Sequence, residues 1–260
     1  MFLICLALTM ILSLVLVPSS AESRQIPETN TSERRPEPVP VPDLERFTEE
    51  AAQRMIRSSQ GLLQPVYKPL AAQITRDYDL ADKPGGIGID LGSGPGNLII
   101  ELCHLTSLHW INADINPHFF GHFYSEAEKH GVAHQVSAIF TDAQAMPFRD
   151  NYADIIVSRG SFPFWDDQHK GFCEVMRVLK PGGTAYIGRG FARDMPVEIA
   201  RSIRSRQGRV IDYDINTEVR ELKRIFNDLE IDSYRIEVPV PEGADDLHYG
   251  IWIELVKPRN

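Results

Sequence analysis

Three cysteines in 260 residues leave little room for sulfur chemistry. Cys5 lies in an apolar leader. Cys103 and Cys173 fall on predicted helices expected to cover opposite faces of a sheet, so a disulfide between them is out of reach. Both read as small buried apolar residues. Positive charge is also scarce: 27 Lys and Arg face 36 Asp and Glu, a formal net charge of −9. The one basic concentration, Arg201, Arg204, Arg206 and Arg209, reads as a solvated helix face and loop. Binding to a nucleic-acid backbone relies on clustered cations, so nucleic acid is disfavoured as substrate. No His, Cys, Asp and Glu spacing suits a metal ion, and no Ser-His-Asp arrangement argues for hydrolysis.

Long apolar runs are absent apart from residues 2–17, which lead into small residues ending at Ala21. This resembles a secretory signal cleaved after Ala21. No Lys or Arg precedes the run, however, and Arg24, Arg34 and Arg35 follow it, a charge order that favours an uncleaved anchor. The run is shorter than the about 20 residues a spanning helix needs. Residues 1–21 are therefore expected to be a signal peptide or an anchor segment, so the chain would be exported or membrane-associated through residues 2–17. Residues 22–42, dense in Pro, Ser, Thr, Glu and Arg, read as a disordered linker. Residues 43–260 are expected to form one α/β domain, with residues 44–79 as lid helices at its front.

The chemistry begins at residues 86–97. An apolar run ends in Asp90 and is followed by Gly92, Gly94 and Gly96 and then a helical pattern over residues 97–104. Such a run reads as a buried parallel strand. The glycines let the backbone turn and bring its N–H groups close to a ligand at the helix start. The dinucleotide fingerprint G-x-G-x-x-G, counted from Gly92, needs a sixth-position glycine where this chain has Asn97. A second strand over residues 108–113 closes on Asp114, placed to accept hydrogen bonds from ribose hydroxyls or to cap the helix expected over residues 117–129. A third strand, residues 136–140, runs into Asp142, Ala143 and Gln144. A fourth, residues 155–158, follows Asp154. A helix ending near Val178 precedes a Lys-Pro-Gly-Gly turn and a fifth strand over residues 184–188. Residues 217–229 form an amphipathic helix, and residues 231–241 and 249–257 read as a closing pair of strands.

The pattern Asp-x-Gly-x-Gly-x-Gly at Asp90–Gly96, the Asp142 segment and the turn at Gly182 and Gly183 occur in correct order over residues 86–188. This stretch resembles the class I S-adenosylmethionine-dependent methyltransferases. The resemblance implies a Rossmann-like α/β fold: a seven-stranded, mostly parallel sheet with an antiparallel last strand and helices on both faces. It implies S-adenosylmethionine as methyl donor and a small or medium-sized acceptor. Asp90, Gly92, Ser93, Gly94, Gly96, Asp114, Ile115, Ser158 and an aromatic from the lid helices, Tyr67, would then surround the donor. Asp142 would accept from the adenine amino group, with the backbone of Ala143 facing the ring. Gly183 is expected to take the positive φ of the turn.

In the same family the loop after the fourth strand faces the acceptor. Here it holds Arg159, Ser161, Phe162, Phe164 and Trp165, an aromatic wall for a sulfonium or a planar substrate. Asp166 and Asp167 are the candidates for a general base, or else caps for the next helix. Arg189, His248 and Tyr249 are secondary candidates, and Met55 and Ile56 read as core. The two separated thiols cannot form the cluster an arsenite methyltransferase needs. Ser161-Phe-Pro-Phe164 is similar to the Ser-Pro-Pro-Phe variant of amino-group DNA methyltransferases, but it lacks the first proline and lies past the strand end. An aminopropyl transferase expects an acid where Ser158-Arg-Gly-Ser161 stands. A nicotinamide-dependent enzyme is discouraged by Asn97. The alternative reading is a non-catalytic module of the same fold that binds S-adenosylmethionine or another metabolite.

Overall fold

The computed structural model describes residues 47–206 and 214–259. The leader and linker over residues 1–42, with Leu44 and Arg209, lie outside the described residues. Among those described, no helix is long and apolar enough to cross a membrane.

Apolar runs bounded by glycine, proline and acids give seven strands: β1 (Ile87–Leu91), β2 (His109–Asp114), β3 (Val136–Phe140), β4 (Ala153–Arg159), β5 (Leu179–Gly190), β6 (Tyr234–Glu237) and β7 (Gly250–Val256). They form one sheet in the order β3-β2-β1-β4-β5-β7-β6. The first five are mutually parallel, and β7 runs antiparallel to both of its neighbours. Strand order reverses between β1 and β4, so a crevice opens beyond their carboxyl ends.

Alternation along each strand sorts side chains to two buried faces. Ile89, Ile111, Ile156, Ile187 and Ile253 point to one face, where α5 (Gln168–Val178) and α7 (Ile215–Asp228) contribute Phe172, Val175 and Phe226. Trp110, Ile155, Val157, Tyr186 and Trp252 point to the other. There α2 (Gln64–Asp77), α3 (Asn97–Cys103) and α4 (Phe120–Lys129) cover them with Leu70, Ile74, Ile99 and Phe123. Each such side chain contributes about 1.5–3 kcal/mol on burial. Tyr186 and Trp252 stack across β5 and β7 with centroids 4.7 Å apart. The remaining helices are α1 (Glu49–Gln60), in front of the crevice, and α6 (Val197–Arg206).

Several expectations need correction. Helix α2 is no lid. Val66, Leu70, Ala71 and Ile74 are buried in it, and the buried Gln73 donates to Tyr186 Oη at 2.9 Å and accepts from the Arg193 N–H at 2.7 Å. Among the described residues, α1 stands in front of the crevice, packing Ala52 and Ile56 on Phe119. Ile56 is buried as expected, but Met55 is not core: it is 46% exposed. Cys103 is buried, whereas Cys173 is exposed, because Phe172 and Val175 set the inward face of α5 and Cys173 falls off it. The Lys-Pro-Gly-Gly stretch, expected as a turn ahead of the fifth strand, lies within β5, and there Gly182 takes the positive φ (78°), not Gly183. Gly183 is constrained differently, since a Cβ there would meet Lys180 O at 2.9 Å. The expected strand over residues 231–241 shrinks to β6, because Pro239 and Pro241 carry no N–H for a ladder. Instead, the Tyr249 N–H donates to Pro239 O at 2.6 Å.

Candidate active site

The glycine loop is moored from β2. At its first turn Gly92 has φ 70°, and its N–H donates to Ala113 O at 2.7 Å. A Cβ on Gly92 would sit 2.2 Å from Ser161 Cβ, so the loop and the β4 extension touch backbone to side chain. Gly94 has φ 57°. Its N–H donates to Asp114 Oδ2 at 2.7 Å, and its carbonyl accepts from Asn112 Nδ2 at 3.1 Å. The second Asp114 oxygen accepts from the Asn116 N–H at 2.8 Å. Gly96 caps α3 in the left-handed conformation, tight against Phe123. Asn112 is a site residue that reading the sequence missed. It is fully buried in β2, which no sequence pattern announces.

Asp90 ends β1 with Oδ2 accepting from Ser93 Oγ at 2.7 Å. Its Oδ1 is buried and accepts nothing from the described residues. Burial pushes the Asp90 carboxyl up to about 7, with the charge of Asp114 adding to the rise. Burial likewise pushes Asp114 up to about 6, against the backbone hydrogen bonds from Asn116 and Gly94. Both acids are thus held close to neutral-pH titration, where a hydrogen-bond donor or cation would restore their charge.

After β3, Asp142 Oδ1 accepts from the backbone N–H and the amide of Gln144 at 2.9 and 3.0 Å. Gln144 Oε1 in turn accepts from the Asp167 N–H at 2.6 Å, tying this turn to the one before α5. Gln144 is a second residue the sequence did not mark. After β4, Ser158 and Ser161 share a hydrogen bond at 2.6 Å, and Ser161 Oγ donates to Leu91 O at 2.9 Å. Arg159 Nε donates to Gly190 O at 3.1 Å, and its guanidinium lies 5.7 Å from the Tyr67 ring centre.

Two adjoining cavities open over this surface, of about 510 and 430 Å³. The larger is lined by Tyr67, Asp90, Ser93, Arg159 and Arg189, among others. The smaller is lined by Asp114, Ile115, Asp142, Ala143, Ser161 and Trp165, among others. Gly92, Gly94, Arg159 and Phe164 border both.

The remaining expected residues lie elsewhere. Ser158 and Gly96 stand behind the lining as supports. Phe162 is buried in the core beneath α5. Asp167 is the cap of α5, with Oδ1 accepting from the Lys170 N–H at 3.0 Å, and Asp166 is exposed. Neither aspartate lines a cavity, because an acid ahead of a helix serves a cap as readily as a base. His248 accepts from the Gly250 N–H, and Tyr249 donates to Met195 O. Met55, assigned to the core from its spacing, borders both cavities instead.

Comparison with known proteins agrees with this geometry. The profile of the methyltransferase-domain family matches residues 89–187. A putative S-adenosyl-L-methionine-dependent methyltransferase from Methanococcus maripaludis superposes with a TM-score of 0.71. It is 28% identical, and the match covers 82% of this chain and 95% of that one. This chain carries a class I methyltransferase domain. The ubiquinone/menaquinone biosynthesis C-methyltransferase UbiE of Shewanella frigidimarina is 32% identical to it over 105 residues, covering 40% of this chain and 42% of the relative. The sterol 24-C-methyltransferase ERG6B of Gibberella zeae is 30% identical over 106 residues, covering 41% and 28%. The chain thus spans less than half the length of these curated relatives. The family match begins at Ile89 within β1 and ends at Ile187 within β5. It therefore includes the glycine loop, Asp114 and Asp142 of the methyltransferase domain and leaves out α1, α2 and Tyr67.

Proposed function

We propose that this chain moves a methyl group from S-adenosylmethionine to a small or medium-sized acceptor. The observation that supports this most is the convergence of Asp90, Gly94, Asp114 and Asp142 on adjoining cavities at the switch point of the sheet. The donor fits what is there. A buried carboxylate oxygen of Asp90 lacks a partner among the described residues and suits an ammonium group. Gly94, whose added Cβ would meet nothing nearer than 3.9 Å, leaves the loop backbone open to a ligand. Asp114 keeps lone pairs for ribose hydroxyls beyond the two it spends on backbone N–H groups. Asp142 and Ala143 would face the adenine. The chemistry supplied by the bound donor is in-line displacement at its sulfonium methyl carbon: the acceptor–carbon bond forms, the carbon–sulfur bond breaks, and S-adenosylhomocysteine leaves.

The protein's own part is alignment and exclusion of water. Phe164, Met55 and Trp165 supply apolar walls, while Arg159 and Tyr67 supply polar groups that orient. The relatives' names speak of quinone and sterol C-methylation. Their likeness covers only 105 and 106 residues of this chain, so the acceptor has to be read from this chain's own walls. Calorimetry on the full chain tests the donor reading: S-adenosylmethionine and S-adenosylhomocysteine should bind saturably, and NAD and NADP should not. Saturable NAD binding with no response to either sulfur nucleoside would overturn it.

A further inference from the structure

The larger cavity is lined by more basic than acidic side chains, although the chain as a whole is acidic. The protein carries a net charge of −9, yet Arg54, Arg159 and Arg189 line this space against one acid, Asp90. Arg54 pairs with Glu50 at 2.7 Å one turn back on α1. Arg159 is placed differently. Its Nε is spent on Gly190 O, which fixes the guanidinium plane against Tyr67. None of the described residues accepts a hydrogen bond from its two terminal nitrogens, and it borders both cavities.

A guanidinium held in a fixed plane with free N–H groups matches a carboxylate or phosphate edge to edge. Burial pushes the Arg159 pKa below the ordinary arginine value. Tyr67 opposes that shift, the nearby Arg189 charge adds to it, and Asp90 opposes it. Among the residues lining the cavity, Asp90 is the one acid that faces Arg159.

The donor brings no net negative charge to this space. S-adenosylmethionine brings an ammonium, a carboxylate and a sulfonium, so its binding adds a net positive charge however its own groups are paired. Once the donor is bound, the remaining space is more positive than before, which favours a negative partner. The same space has an apolar rim. Met55 is 46% and Phe164 73% exposed at its mouth, and Leu63 and Leu98 line it further in.

We propose that the acceptor is an amphiphilic anion, a carboxylate or phosphate on an apolar body, with the anionic group on Arg159 and the apolar part against Met55 and Phe164. This rests on the donor reading above and assigns the acceptor class for the same site.

The test uses the full chain saturated with S-adenosylhomocysteine, which lacks the sulfonium and so isolates the contribution of Arg159, and titrated in a calorimeter with hexanoate, hexyl phosphate, hexanol and hexylamine. One or both anions should bind about tenfold or more tighter than hexanol, with hexylamine weakest. Whichever anion leads distinguishes a carboxylate from a phosphate acceptor. Arg159→Gln should bring the anions to within about threefold of hexanol while S-adenosylhomocysteine affinity stays within about threefold. Arg159→Lys should restore part of the preference. Equal binding of all four probes, or preference for the amine, overturns the proposal on the unsubstituted protein alone, whatever the variants do. So does an anion preference that survives Arg159→Gln, or a variant that loses S-adenosylhomocysteine with anion binding unchanged, which would give Arg159 to the donor. If S-adenosylhomocysteine fails to bind the unsubstituted protein, the donor reading falls. The four probes titrated without it then still decide the anion preference separately.

Discussion

Replacing Gly92 and Gly94 separately by alanine should separate the two tasks of the glycine loop. Both residues sit at positive φ, 70° and 57°, where an L side chain costs about 1–2 kcal/mol. Beyond that they differ. A Cβ at Gly92 would stand 2.2 Å from Ser161 Cβ and 2.7 Å from its Oγ. Ser161 has little freedom to retreat, since its hydroxyl is bonded to Leu91 O and to Ser158. Forcing it aside adds about 1–3 kcal/mol of overpacking, for a total of about 2–5 kcal/mol. A Cβ at Gly94 meets nothing nearer than Phe119 Cζ at 3.9 Å, so only the backbone cost of about 1–2 kcal/mol remains. In a domain of this size each kcal/mol lowers the melting temperature by about 2–4 °C. Gly92→Ala should therefore melt clearly lower than Gly94→Ala. Donor affinity should show the reverse emphasis per unit of stability lost. The Gly94 methyl projects onto the cavity wall and should weaken S-adenosylhomocysteine by about tenfold or more in calorimetry. Equal melting shifts would refute the steric account of Gly92, and unchanged affinity in Gly94→Ala would refute placing this loop against the donor.

Asp114→Ala removes the acceptor for two backbone N–H groups. Charged hydrogen bonds contribute about 1.5–3 kcal/mol each, so both donor affinity and melting temperature should fall; a normal affinity would show that Asp114 only holds the loop. Asp90, pushed up to about 7, binds its proton more tightly in the folded chain than in the unfolded one, where the value is about 4. Its contribution to stability is therefore present below about pH 4 and lost as pH rises toward 7. His122 and His248, with lowered values, act the other way in part of that window. The readout is thus the difference in melting between the wild type and Asp90→Asn across pH 4.5–7.5: the variant should gain on the wild type as pH rises, and a constant difference would contradict the assignment. Asp167→Ala removes the α5 cap and should cost about 1 kcal/mol while leaving methyl transfer intact; a collapse of turnover with unchanged melting would make Asp167 a catalytic base after all.

The central sheet was legible because β1, β4 and β5 are buried on both faces, and such strands must be written as apolar runs with glycine, proline or acids at their ends. Glycine-loop geometry was legible for a related reason: its chemistry is local, one short stretch of chain carrying its own turn. What the sequence concealed lies between segments. Asn112 and Gln144 do their work across loops distant in sequence, so no spacing marks them. Met55 follows the same helical period as the buried residues of α1, but its side of the helix faces a cavity, and periodicity does not tell packed protein from open space. The sequence left Asp167 between base and cap for want of any local difference between a carboxylate that caps a helix and one that takes a proton; the structure shows the cap. The edge strand β6 was overextended because hydrophobic alternation continues through Val238 and Val240, while the prolines that end the ladder act only through their missing N–H.

The unequal anchoring of helices α1 and α2 has a kinetic consequence. Helix α2 shares its buried residues and Gln73 with the sheet, so exposing its amides requires breaking the main core. Among the described residues, α1 is held by Ala52 and Ile56 on Phe119 and by Asn116 Nδ2 donating to Thr48 O at 3.2 Å. Such an element opens by a small sub-global excursion well below the free energy of complete unfolding. Amide hydrogens of α1 should therefore exchange with solvent much faster than those of α2. Exit of a bound nucleoside past Met55 and Ala51 would be timed by that opening, so residence time would follow the hold of α1 on Phe119 and not the strength of the pocket alone.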